Sequence, residues 1–120
     1  MKLEDNCFLN LENSKGNIAF LHASCTEWKN KFIFEIFGRH GKIEINGLGR
    51  SYGPQTLIYY KMLKKMGVPK TKIFKFSDNE NFSWKFELKE FYQDIIKKRQ
   101  PSSNIFDAYK NLEIINTIYK

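Results

Sequence analysis

The spacing of the apolar residues changes once along this chain, and the change comes late. Up to about Asn46 the pattern has a period of two. DNCFLNLE (5–12) places Cys7, Leu9 and Leu11 on one face and Asn10 and Glu12 on the other. KFIFEIF (31–37) places Phe32, Phe34 and Ile36 on one face and Ile33 and Phe37 on the other, and KIEIN (42–46) alternates cleanly. IAFLHASC (18–25) is apolar at nearly every position. Such alternation is the mark of β-strands. The clusters NSKGN (13–17) and GRHG (38–41) supply turns, so these strands are expected to form an antiparallel meander.

From Ser83 the period lengthens. Trp84, Leu88, Phe91, Tyr92 and Ile95 follow helical spacing, and Gln100 and Pro101 end that segment. Ser102 and Ser103 can cap a second helix carrying Ile105, Ala108, Leu112, Ile115 and Tyr119 on its inner face. The middle is open to two readings. Pro54, Gly67 and Pro69 are helix punctuation, whereas Leu57, Ile58, Tyr59 and Tyr60 favour a strand. KIFKF (72–76) reads as a strand.

Strands first and helices last is the α+β order: an open-faced antiparallel sheet with both C-terminal helices, 83–99 and 104–119, packed on one face. The 120 residues fit a single domain over 1–120. Because 18–25 and 31–37 carry apolar residues on both faces, the second face needs a cover. A second copy of the chain is the expected one.

Composition narrows the function classes. With 42% hydrophobic and 16% aromatic residues the chain is not of the disordered kind. No apolar run is long enough to span a bilayer, and MKLEDNCF has no signal-peptide pattern. Cys7 and Cys25 form no metal or redox pattern, which points to reduced thiols and a cytoplasmic setting. The net charge of +7 invites a nucleic-acid reading. Against it, only three basic residues are arginines (Arg39, Arg50 and Arg99), and the lysines are scattered. No nucleic-acid partner is expected.

The stretch NGLGRSYGPQ (46–55) has three glycines in seven positions. A dinucleotide fingerprint needs its third glycine three residues after the second, and Gly53 is four after Gly49. GLGRSYG also resembles the phosphate loop of certain FAD-linked oxidases, but Pro54 stands where those enzymes have an acidic residue. A structural loop is expected, with no cofactor-binding residue. His22 sits on a sheet face and His40 in a turn, neither with metal-ligand spacing. Asp78 and Glu80 precede a helix, where their charge suits its dipole. No nucleophile has a recognisable base, so no catalytic residue is assigned.

The order of motifs is more informative. G-x-I-A-x-L-H-A-S begins at Gly16, followed by W-K-N at Trp28 and E-I-F-G-x-x-G-x-I-E-I from Glu35. S-W-x-x-E-x-x-x-F follows at Ser83 and D-A-x-x-x-L-x-I-I at Asp107. Over roughly residues 4 to 119 the chain resembles the C-terminal part of the glucose–fructose oxidoreductase/inositol dehydrogenase (Gfo/Idh/MocA) family. The resemblance implies the substrate-binding and oligomerisation part of an NAD(P)-dependent oxidoreductase acting on a sugar or cyclitol, not catalytic alone. The NAD or NADP would bind a Rossmann domain that also carries the catalytic lysine, and neither is in this sequence. It further implies a strand near 56–61 and a homodimer or higher oligomer through the sheet. The substrate-facing residues it implies are Trp28, Lys29 and Asn30, in the loop before the strand at 31–37, and Trp84. The alternative is a stand-alone interaction module that dimerises through its sheet face.

Overall fold

The computed structural model describes residues 4–77 and 82–119. Asp78 and Glu80 lie outside the described residues. The chain divides into two units, Met1–Asp78 and Asn79–Lys120. Among the described residues the first holds six strands: β1 (Asn6–Glu12), β2 (Ile18–Ser24), β3 (Ile33–Gly38), β4 (Gly41–Asn46), β5 (Gln55–Lys61) and β6 (Lys70–Phe76). The second holds α1 (Ser83–Lys97) and α2 (Ile105–Ile118). The architecture is α+β, with antiparallel strands first and helices last.

The strands form two sheets. β1 and β2 make a hairpin, and β3-β4-β5-β6 make a four-stranded antiparallel sheet in sequence order. The meander expected from the sequence is therefore interrupted once, between β2 and β3. Side chains close the hairpin at that point. Thr26 accepts from Asn6 Nδ2 at 2.8 Å, and its N–H donates to Ser24 Oγ at 3.1 Å, tying the end of β2 back to β1. The first turn is built as its composition suggests: the Asn13 carboxamide oxygen accepts from the N–H groups of Lys15 and Asn17. The ambiguous middle is extended, because Ile43, Ile45 and their neighbours on β4 offer a continuous ladder to 56–61. Tertiary pairing overrides the local helix punctuation.

The register of the four-stranded sheet sorts its side chains onto two unlike faces. Phe34 pairs with Ile45, Ile45 with Leu57 and Leu57 with Phe74, giving one apolar row across all four strands. Ile36, Ile43 and Tyr59 extend it. On the opposite face Glu35 pairs with Glu44, and Phe37 and Tyr60 flank Lys42. Lys42 Nζ bridges Glu35 and Glu44, lying 2.8 Å from the latter, and stands 5.3 and 5.4 Å from the Phe37 and Tyr60 ring centroids. The sequence expectation of apolar residues on both faces of β3 holds at Ile33 and Phe37, but ion-paired Glu35 occupies the middle.

Among the described residues no hydrophobic side chain is buried; Gly47 and Gly49 are the buried positions. Phe34 and Phe74 on the apolar row are each 50% exposed.

In the helical unit, α1 ends at Lys98, whose backbone is left-handed (φ 49°). Arg99 folds back on the last turns, with Nε 2.7 Å from Asp94 Oδ1 and Nη2 2.8 Å from Glu90 Oε2. The cap of α2 is Asn104 rather than Ser102 or Ser103. Its side chain accepts from the Phe106 N–H at 2.8 Å, while Asp107 accepts from the Asn104 N–H at 3.0 Å, a reciprocal capping box. Only Asn104 is adjacent to the first helical residue, and its extended backbone suits the role. Among the described residues no helix is long and apolar enough to cross a membrane.

Candidate functional site

The sheet's geometry gathers two separate sequence features at one end. β3 runs away from the loop 25–32, and β4 runs back into the glycine loop 47–54. Their antiparallel pairing lays the two loops side by side. The Gly47 N–H donates to the Phe32 carbonyl at 3.0 Å, continuing the ladder one step beyond the strands. Asn30 Nδ2 then donates to Ser51 Oγ at 2.9 Å, linking loop to loop through side chains.

Gly47 makes this approach possible. Its φ is +73°, and a Cβ there would lie 2.4 Å from the Pro54 carbonyl oxygen and 2.7 Å from that of Gly53. Only glycine tolerates both conditions. The loop closes on itself through a single 3-10 turn at Arg50–Tyr52, with the Tyr52 N–H donating to the Gly49 carbonyl at 3.1 Å. The N–H groups of Gly47 and Tyr52 are thus spent on the chain's own carbonyls, in an antiparallel setting. The loop joins two antiparallel strands, β4 and β5, and is not the strand-to-helix turn of a dinucleotide phosphate site.

Between the two loops lies an open hollow of about 510 Å³. Trp28, Lys29 and Asn30 line it from one side, and Asn46, Gly47 and Tyr52 from the other. Three of the four residues singled out in the sequence are therefore brought together. Trp28 is 105% exposed, its ring standing free in solvent rather than packed as an edge residue. The lining comes from the strand unit alone. Trp84 belongs to the helical unit, where it stands in the first turn of α1 and is 73% exposed.

Glu27, also in the lining, is placed by β2. Its Oε1 lies 3.7 Å from His22 Nδ1, and the His22 ring stacks on Phe8 of β1 with centroids 4.2 Å apart and an interplanar angle of 7°. The register pairs Phe8 with His22, so this stack is fixed by the hairpin. The sequence showed His22 on a sheet face but not its reach to Glu27.

The glycine loop's part in the lining was missed by reading it as a turn only. The usable signal was the pairing of β3 with β4: once the GRHG turn sets the register, residue 32 must lie opposite residue 47.

Chemically, the hollow offers an aromatic face, two ammonium groups at Lys29 and Lys31, amides at Asn30 and Asn46, a carboxylate and a phenol. Among the described residues no three His, Cys, Asp or Glu side chains gather as a metal site requires. Comparison of the chain with protein-family models, curated proteins and solved structures finds no match.

Proposed function

We propose that the chain is the substrate-binding and oligomerisation part of an NAD(P)-dependent oxidoreductase acting on a sugar or cyclitol in the cytoplasm. The observation that carries the reading is the free Trp28 ring at a hollow also lined by Lys29 and Asn30. An exposed indole packs on the C–H face of a sugar ring, while ammonium and amide groups bond its hydroxyls. The order of the motifs from Gly16 to Ile115 supplies the oxidoreductase part of the reading. In this account a nucleotide-binding domain holds the nicotinamide cofactor and supplies the catalytic lysine. The present chain orients the substrate.

Tryptophan fluorescence with glucose and myo-inositol tests it. Saturable quenching that is lost in Trp28→Ala and kept in Trp84→Phe is expected; no quenching by any sugar or cyclitol would remove the reading. Calorimetry with NAD, NADP and FAD is expected to give no Kd below about 100 μM for this chain.

A second reading, a stand-alone module that dimerises through its sheet, is favoured by the apolar row from Phe34 to Phe74, half-exposed at both ends. It predicts self-association without any sugar binding.

A further inference from the structure

Charge at the hollow narrows the ligand, and this step rests on the sugar-binding reading above. Lys29 and Lys31 both line the hollow, and among the described residues neither makes an ion pair. The carboxylate in the lining, Glu27, faces His22 at 3.7 Å. Asn30 already donates to Ser51. Two ammonium groups therefore stand against one carboxylate that has a neighbour of its own. This differs from the far end of the same sheet, where Lys42 is satisfied by Glu35 and Glu44 together. A neutral sugar would leave both Lys29 and Lys31 without a counter-charge.

We infer that the hollow selects a monosaccharide or cyclitol bearing an anionic group, with Trp28 under the ring and Lys29 and Lys31 at the carboxylate or phosphate. A lysine is a mobile point charge rather than a fixed fork, so it serves either anion. The site is open to water, so each charge contact is screened and contributes only a few-fold in affinity. Two together favour the anionic sugar by roughly ten-fold over its neutral parent at low salt.

The test is a fluorescence titration of the full chain with glucose, glucuronate, glucose 6-phosphate and inorganic phosphate, at low and at physiological salt. The expected result is about ten-fold tighter binding of glucuronate, glucose 6-phosphate or both than of glucose, narrowing as salt rises. Which of the two binds tighter identifies the anion. In Lys29→Glu/Lys31→Glu the order inverts, with glucose the better ligand. Because both side chains are on the surface, circular dichroism can confirm that the variant keeps its fold.

Equal binding of glucose and the anionic sugars overturns this inference and leaves the sugar-binding reading standing. Inorganic phosphate binding as tightly as glucose 6-phosphate also overturns it, marking a general anion surface. Absence of binding by every ligand overturns both.

Discussion

The two faces of the four-stranded sheet are built from the same strands by opposite means. One carries the row Phe34, Ile45, Leu57 and Phe74, with Ile36, Ile43 and Tyr59 beside it. The other carries Lys42 held between Glu35 and Glu44, with Phe37 and Tyr60 rings near the ammonium and Ile33, Ile58 and Ile73 on the same face. The charged face meets its own electrostatic needs within the sheet. On the apolar face Phe34, Ile36 and Phe74 remain about half-exposed. Covering that area would stabilise the fold at roughly 25 cal/mol per Å². The comparison teaches that an alternating strand is two independent statements, and that the apolar one asks for a partner.

The largest way to break the contrast is at its glycine end. Gly41 shares the apolar face's parity, and a Cβ there would lie 2.4 Å from the Tyr60 carbonyl oxygen. Gly41→Ala must push β4 from β5, at a cost of about 2–3 kcal/mol. Urea unfolding of the full chain should show it as a lowered midpoint with an unchanged slope. An unaltered midpoint would mean the two strands are less tightly paired than the register implies.

Truncation within the row comes next. Ile45→Ala removes a partly buried side chain flanked by Phe34 and Leu57 and should cost about 1–2 kcal/mol, below the range for fully buried isoleucine. The same urea experiment measures it. A cost under about 0.5 kcal/mol, the size of an ordinary surface change, would deny the row any role in holding the sheet.

On the charged face the effects are smaller. Lys42→Gln leaves Glu35 and Glu44 directly opposite each other, and like charges in that position destabilise a ladder. The thermal midpoint should fall, by less than for Gly41→Ala. The face also carries a pH signature. The Glu44 carboxyl is held below its usual range, first by the Asn46 amide at 2.7 Å and then by Lys42. Its contribution is in place above the ordinary carboxylate value of about 4.3 and is lost as pH falls through the lowered folded value. The Lys42 ammonium is held above its usual range by Glu35 and then Glu44. Its contribution is in place below about pH 10.4 and is lost only as pH rises through the raised folded value. Between about pH 5 and 10 the network therefore adds no slope to stability. Lys42→Gln should shrink the acid limb, and an identical acid limb in the variant would contradict the assignment.

Much of this contrast was legible in the residues. KIEIN alternates without ambiguity, and GRHG between two alternating runs sets a hairpin register. Glu35 was visible too, but its meaning depends on Lys42 and Glu44, which only the register brings beside it. The break between β2 and β3 was not legible, because the hydrogen bonds that close the hairpin there, among Asn6, Ser24 and Thr26, use residues that are ordinary in any loop. The hollow was half legible. Trp28, Lys29 and Asn30 stood out by type, whereas Gly47 and Tyr52 join them only through a ladder bond beyond the strand ends. Ser102 and Ser103 drew the cap to the wrong residue because serine is as good a cap as asparagine in composition, and position alone decides for Asn104.

The proposal that the apolar face is where copies of the chain meet is tested most directly by sedimentation equilibrium at micromolar concentration on three proteins: the native chain, Phe34→Lys and Ile33→Lys. Neighbouring residues on a strand point to opposite faces, so the two substitutions place one charge on each face of the same strand. The account predicts a dimer or larger assembly for the native chain and for Ile33→Lys, and a folded monomer for Phe34→Lys. A monomeric native chain, or two variants that sediment alike, would contradict it.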